Sequence, residues 1–272
     1  MIFADKIRRA GDHLKSVGEI RRHFQNPWLI ILLRLGFIKL PYFPHQIRKG
    51  AHRYTLLARP TTTSCADLFI LRDVLLAETY KDILPLLPKK NLRILDVGAN
   101  LGSFTLWLHR QTGVREAFCF EPEIDSFRLL NFNLALNECA AAKAIPCAIG
   151  GETRTAKLAL KASSPGGTSL YADYTTRADA RSVSVVSLEE WLRGVAGDFD
   201  LLKMDCEGSE WEIMDKTDAR LFARFPVLLA EVHGDPVHNR PPAEFRRLAE
   251  KRGYRTVRSD DKYHGLYIGI RK

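Results

Sequence analysis

The chain has 272 residues, 46% of them hydrophobic, with 41 Lys and Arg against 32 Asp and Glu for a formal charge of +9, a size that suits one α/β domain with a large core plus an appendage. Its five cysteines, Cys65, Cys119, Cys139, Cys147 and Cys206, contain no C-x-x-C pair and mostly sit in apolar runs, which argues against a disulfide framework or a zinc site and points to a reducing compartment. The longest apolar run, Trp28 to Leu33, falls far short of a membrane span, and the N-terminus lacks the apolar core of a signal peptide, so a cytoplasmic protein is expected, with peripheral membrane contact left open.

The charge is concentrated at the start. Met1 to Arg53 hold eleven Lys/Arg and three Asp/Glu, or +8, and the remaining 30 basic and 29 acidic residues give +1. A nearly neutral remainder argues against a basic groove across an active face, so nucleic acid is not an expected partner. Phe3, Ile7, Ala10, Leu14, Val17 and Phe24 share one face of a helix, and Asn26-Pro27 opens a second over Trp28 to Phe37. Basic amphipathic helices of this kind fit packing on their own domain, on a second subunit in a homo-oligomer, or on an anionic membrane surface. Gln46 to Pro60 reads as a hairpin turning near Lys49-Gly50. Residues 1–60 are thus a basic appendage and 61–272 the main domain. Ser64 to Tyr80 reads as a helix, with Ser64 and Asp67 as caps and Leu68, Leu71, Leu75 and Leu76 as its buried stripe.

Pro85 and Pro88 close that segment, and the apolar strand from Leu92 to Asp96 opens a regular alternation of strand and helix. A glycine turn and an amphipathic helix follow it. Next come the strand Ala117 to Phe120, ended by Glu121-Pro122, a helix through Asp125 to Leu136, and a third strand near Ala144 to Ala148. Gly150 to Arg181, with Pro165-Gly166-Gly167, interrupts the pattern as a hairpin or loop. Val183 to Val186 leads into a helix opened by a capping box, Ser187 with Glu190 three residues on. Phe199 to Met204 is the fourth strand and Val227 to Val232 the fifth, with D-C-E-G-S-E-W and a helix between them. A helix over Ala243 to Lys251 and strands Tyr254 to Val257 and Gly265 to Ile270 complete the chain. This order predicts an α/β fold, a mainly parallel sheet with helices on both faces and its last two strands antiparallel at one edge.

Ligands of an open α/β sheet sit beyond the carboxyl ends of its strands. This sequence places Asp96 to Gly102, Glu121, Ala148 to Gly151, Asp205 to Glu210 and Glu231 to His233 there. Asp96, Gly98 and Gly102 give D-x-G-x-x-x-G, in which glycines let the backbone turn sharply and approach a ligand. Glu121 follows Gly102 by nineteen positions, about the offset at which an acid reaches a ribose diol. A nicotinamide dinucleotide and S-adenosylmethionine both fit such a turn. The G-x-G of the dinucleotide fingerprint is absent, and Asp96 before the loop would oppose a pyrophosphate but could receive a methionine ammonium. S-adenosylmethionine is the better match, and Asn100, Phe104, Pro122 and Ala148 join the candidate cofactor residues.

Several motifs in order, D-V-G-A-N-L-G at Asp96, F-E-P at Phe120, Asn133 with Asn137, S-L-E-E-W-L at Ser187, F-D-L-L-K-M-D-C-E-G-S-E at Phe199 and A-E-V-H at Ala230, resemble the FkbM-type S-adenosylmethionine-dependent methyltransferases. The resemblance spans roughly Thr61 to Gly234 and implies a Rossmann-like class I methyltransferase with a seven-stranded sheet. It also implies O-methylation of a hydroxyl-bearing acceptor, a sugar of a glycan or glycolipid, or a secondary metabolite. Lys203 lies in an apolar strand and needs a carboxylate such as Asp205 or Glu231 beside it. Asp205, Glu231 and His233 are candidate bases, His233 favoured because an unperturbed imidazole titrates near neutrality. Glu207, Glu210 and Glu212 also read as complements to a helix dipole, and Asn133 and Asn137 as bonds to loop backbone. A metal held by Asp205, Glu231 and His233 is not expected from so scattered a set. An RNA methyltransferase and a non-catalytic scaffold are the competing readings; the D/N-P-P-Y of base-amine methyltransferases is absent after Met204.

Overall fold

Strands buried on both faces read as unbroken apolar runs, and Leu92–Val97 is buried at all six positions. The computed structural model describes residues 18, 20–34, 37–38, 40–59, 66–161, 164–170, 180–235 and 237–271. The stripe from Phe3 to Val17 and the Ser64 cap therefore lie outside the described residues. The N-terminal part contains α1 (Pro27–Arg34), the hairpin β1 (Phe43–Lys49) and β2 (His52–Ala58), and α2 (Ala66–Leu71). From β3 (Leu92–Val97) the chain runs through α3 (Ser103–Thr112), β4 (Val114–Phe120), α4 (Ile124–Leu136), β5 (Ala142–Ile145), β6 (Ala148–Gly150), β7 (Arg154–Lys161), β8 (Ser164–Ser169) and β9 (Arg181–Ser187). It ends with α5 (Leu188–Arg193), β10 (Leu201–Met204), α6 (Ser209–Lys216), β11 (Val227–Val232), α7 (Pro242–Lys251), β12 (Tyr254–Ser259) and β13 (Gly265–Arg271).

The main sheet has seven strands in the order β12-β13-β11-β10-β3-β4-β5. Five are parallel, and β13 runs antiparallel to both β11 and β12, as expected for the last pair. Alternate residues feed two apolar layers. Leu92, Ile94, Leu201 and Leu229 pack with Phe104 and Trp107 of α3 and Leu130 and Leu134 of α4. On the other face Leu95, Val97, Leu202 and Met204 pack with Leu192 of α5, Trp211 of α6 and Phe245 of α7.

Three expectations change. The single strand around Ala144 to Ala148 is two strands: Pro146 supplies no amide hydrogen and bends the chain after β5, so β6 enters a separate four-stranded sheet, order β6-β9-β7-β8. Val183 to Val186, read as a strand leading into a helix, is β9 of that smaller sheet, beside β6 and β7. The helix expected to Tyr80 leaves α-geometry after Leu71, continues as a wider π-type turn over Arg72–Leu76 and stops there. Asp67 does not cap it; its buried carboxylate accepts from the Arg59 amide at 2.7 Å and from Nε and Nη2 of the same arginine at 3.0 Å.

The hairpin turns at Gly50, whose φ of 57° suits glycine. Phe24, Ile47, Tyr54 and Leu56 are buried in the same apolar layer as Leu92 and Trp107. The open edge of β2 is closed by side chains rather than by a strand. Asn133 of α4 accepts from the Leu57 amide at 2.7 Å and donates to the Leu57 carbonyl at 3.1 Å and to the Leu101 carbonyl at 2.9 Å. Asn137, one turn on, accepts from the Thr55 amide at 3.1 Å and donates to the Thr55 carbonyl at 2.7 Å. The two asparagines thus mimic a β-partner for the hairpin and tie it to the glycine loop. Asn133→Ala leaves one buried donor and two acceptors without partners, and is expected to cost about 3 kcal/mol or more, read as a lower urea midpoint.

Candidate active site

The parallel register sets Lys203 of β10 directly beside Asp96 of β3. Both point to the face covered by α3, where nothing apolar can balance a lone charge. Lys203 is 3% exposed; its Nζ stands 3.0 Å from Asp96 Oδ1 and 3.5 Å from Asp205 Oδ2, and donates to the Gly98 carbonyl at 2.8 Å. Burial alone would lower the ammonium's pKa, but Asp96 and Asp205 hold it above the ordinary lysine value. The carboxylate at closest range is Asp96, not Asp205 or Glu231. Asp96 is fully buried, and its other oxygen accepts from Thr105 Oγ1 at 2.7 Å. Its charge is paired inside the protein with Lys203, where the sequence suggested a methionine ammonium as its partner.

The glycines of the loop after β3 answer to the chain itself. Gly98 has φ 76°, and a Cβ there would lie 1.8 Å from the Asp205 carbonyl oxygen; Gly102 has φ 81°, and its Cβ would lie 2.8 Å from Leu130. Their bareness lets β3 and β10 close up at their carboxyl ends and α4 pack beneath α3. Asn100 takes φ 50°, donates its amide to Glu121 Oε2 at 2.9 Å, and keeps Oδ1 buried without a hydrogen-bond partner among the described residues. Glu121 Oε1 accepts from the Glu123 amide at 2.8 Å. Burial raises the Glu121 carboxyl to about 7 against those two amide bonds. Each of its oxygens keeps a lone pair for a further donor. Pro122 is half-buried next to it. Gly102 caps α3 without any side-chain bond, leaving the first-turn amides to other acceptors. An orphaned amide oxygen, a buried acid and an uncapped helix start fit a ligand that carries hydroxyls and a carboxylate. Phe104 lies in the core, edge-on to Tyr80 with centroids 5.2 Å apart. Ala148 is buried in β6, paired with Val185 in the smaller sheet.

Asp205 and Glu231 follow one another at the carboxyl ends of the neighbouring strands β10 and β11, both half-buried. Burial, then the Asp205 charge, push the Glu231 carboxyl up to about 8. His233 is 5% exposed, with Nδ1 2.8 Å from Glu210 Oε1. Burial would lower its pKa, but Glu210, Asp205 and Glu207 together push it up to about 10. A raised pKa disfavours His233 as the base of the metal-free protein, against the preference the sequence suggested. Glu210 is wholly buried and accepts from the amides of Cys206 at 2.7 Å and Gly208 at 2.8 Å. It folds the D-C-E-G loop and orients His233, whereas Glu212 is paired with Arg154 at 2.9 Å.

Two residues at this end carried no motif. Tyr80 is buried with its hydroxyl bonded to Glu231, and burial together with Asp205, Glu231 and Asp96 holds the phenol well above its ordinary pKa. His264 precedes β13, its Nδ1 3.7 Å from Glu231 Oε1 and its ring edge-on to His233 at 4.9 Å. A lone tyrosine after a helix and a lone histidine in a turn give no sequence signal; only the closing of the sheet's end collects them.

Known proteins similar to this chain are methyltransferases. The chain is 27% identical to Methyltransferase sdnD of Sordaria araneosa over 220 residues, 70% of this chain and 83% of that protein. It is 27% identical to Methyltransferase 1 of Beauveria bassiana (strain ARSEF 2860) over 169 residues, 55% of this chain and 67% of that one. Among solved structures, precorrin-6y C5,15-methyltransferase from Geobacter metallireducens GS-15 aligns at 14% identity and a TM-score of 0.44, over 72% of this chain and 87% of that chain. Magnesium protoporphyrin IX methyltransferase (ChlM) from Synechocystis PCC 6803 with bound SAM aligns at 11% identity and a TM-score of 0.42, over 76% of this chain and 80% of that chain. The FkbM methyltransferase domain matches residues 96–256, more than half of the sequence, and the chain belongs to that family.

Proposed function

We propose that this methyltransferase acts on a hydroxyl oxygen, on a sugar of a glycan or glycolipid, with the Asp205–Glu231 pair receiving the proton that the hydroxyl gives up. S-adenosylmethionine is its methyl donor and supplies, when bound, a methyl group made electrophilic by a sulfonium. The observation that carries the reading is the pair itself: two half-buried carboxylates end adjacent strands next to the glycine loop, and Lys203 ties one of them to that loop.

A hydroxyl is a weak nucleophile and gains from a positioned base. Two carboxylates so close do not both ionise easily, which poises one of them near the working pH. Tyr80, kept as a neutral phenol, bonds Glu231 and fixes its orientation. The His233 imidazolium and the Lys203 ammonium balance part of the charge that collects as the proton arrives. On the cofactor side Glu121 and Asn100 would hold hydroxyls and the α3 amides a carboxylate. Asp96, Gly98 and Gly102 act as positioning residues for that loop, and Phe104 for its floor. Glu121→Ala is expected to weaken S-adenosylmethionine binding about tenfold, the loss of one good charge-assisted hydrogen bond, read by calorimetry. No helix among the described residues is long and apolar enough to cross a membrane; the basic N-terminal stretch serves assembly or contact with a partner surface in this reading.

Methyl-labelled S-adenosylmethionine, incubated with the protein and separated glycan, small-molecule and RNA fractions, tests the acceptor class. Label in glycan is expected. Label in RNA with none in glycan overturns the proposal.

A further inference from the structure

The end of the sheet holds more negative charge than its own cations balance. Five carboxylates, Asp96, Asp205, Glu207, Glu210 and Glu231, surround the two cations Lys203 and His233. Lys203 is directed at Asp96 and the Gly98 carbonyl. Of the rest, Glu210 holds His233 Nδ1 and the other three converge on Nε2. Around His233 Nε2 stand Asp205 Oδ1 at 3.8 Å, Glu207 Oε1 at 3.9 Å and Glu231 Oε1 at 3.9 Å. Hydrogen bonds close at about 2.7–3.2 Å, so none of these is one. They match instead the spacing of donors on a shared ion: with metal–ligand distances of about 2.0–2.2 Å, neighbouring ligands stand about 3–4 Å apart.

His264 adds a second imidazole. Its Nδ1 is 3.7 Å from the same Glu231 Oε1, and the donor atoms of Glu231, His233 and His264 all lie within 4.8 Å of one another. His233 is built for the task. It is 95% buried, and its Nδ1 is gripped at 2.8 Å by a fully buried Glu210 that two loop amides hold in place. A carboxylate on the far ring nitrogen is how proteins orient and strengthen a ligating imidazole. That leaves Nε2 as the atom aimed into the carboxylate ring, and an ion bound there would displace its proton to solvent while Nδ1–H stays on Glu210.

We propose that Glu231, His233 and His264 form a binding site for a divalent first-row transition ion, with Asp205 beside it. Two imidazoles and one carboxylate suit Mn²⁺ or Zn²⁺, whereas Mg²⁺ and Ca²⁺ prefer an all-oxygen shell. The site stands on this geometry; its use in catalysis rests on the hydroxyl-methylation reading above. An ion there would lower the pKa of an acceptor hydroxyl that joins its open positions, and as the O–H bond breaks the proton would pass to Asp205. Glu231 would then serve as a ligand, and Asp205 alone would be the proton acceptor of the pair.

Chelator-stripped full-length protein, without donor or acceptor, tests the site by titration with Mn²⁺ followed by electron paramagnetic resonance and with Zn²⁺ followed by calorimetry. One ion per chain is expected. His264→Ala removes a side chain that is 62% exposed, so the fold should survive, and uptake should weaken about tenfold or more, as it should in Glu231→Gln. Absence of saturable uptake by the wild type, or uptake unchanged in either variant, overturns the proposal. S-adenosylmethionine binding measured on the same samples should be unchanged in His264→Ala, which keeps failure of the metal site distinct from failure of the methyl-transfer reading.

Discussion

Lys203→Met is expected to lower the stability of the protein by about 3–5 kcal/mol, the cost of leaving a buried charge without its partner. Methionine matches the length and volume of the lysine stem, so packing against Phe104 is kept and the loss is electrostatic. The group stranded is Asp96, fully buried with Lys203 Nζ 3.0 Å away as its counter-ion. The Gly98 carbonyl also loses its 2.8 Å donor, so the loop that meets the cofactor loosens together with the core beneath it. Urea denaturation reads the first effect and S-adenosylmethionine titration the second. The double variant Lys203→Met, Asp96→Leu should recover much of the stability, because two apolar groups replace an ion pair with little net cost, but not the cofactor affinity. A single variant as stable as the wild type would mean that the pair is not the hinge of β3 and β10.

Removing one carboxylate of the Asp205–Glu231 pair has the larger effect on rate. Glu231→Gln is expected to reduce kcat by about 100- to 10,000-fold while leaving S-adenosylmethionine affinity unchanged. The pH profile in chelator carries the same information with its sign. A base works only when deprotonated, and burial with the Asp205 charge pushes Glu231 up to about 8. The wild-type kcat should therefore fall about tenfold for each pH unit below that value and level off above it. The His233 imidazolium, held up to about 10, keeps its proton across this range and contributes no second inflection. An acid limb centred near 6.5 would return the role of base to an ordinary imidazole.

The order of strands and helices was legible because apolar runs, capping residues and glycine turns act locally. Register was not. That Lys203 needed a carboxylate follows from its apolar neighbours, but the parallel pairing that makes the partner Asp96 depends on strands more than a hundred residues apart in the chain. The same holds for His233, whose type suggested a base, while Glu210, Asp205 and Glu207 from the segment after β10 raise its pKa. Asn133 and Asn137 showed their one-turn spacing but not the hairpin edge they would meet, since Thr55 and Leu57 lie far upstream. The glycines were found in the right place for a different reason: Gly98 is bare because the Asp205 carbonyl needs the space. Pro146 was read as lying inside one strand, and the second sheet that begins after it rests on pairing with β9, again a distant segment.

The most direct measurement is a paired one on the wild type and Asp205→Asn: calorimetric titration with S-adenosylmethionine, followed by labelled methyl transfer to a glycan acceptor. Both proteins are predicted to bind the donor with comparable affinity, and only the wild type to transfer label. Wild-type turnover in Asp205→Asn, or failure of the wild type to bind S-adenosylmethionine at all, would contradict the account.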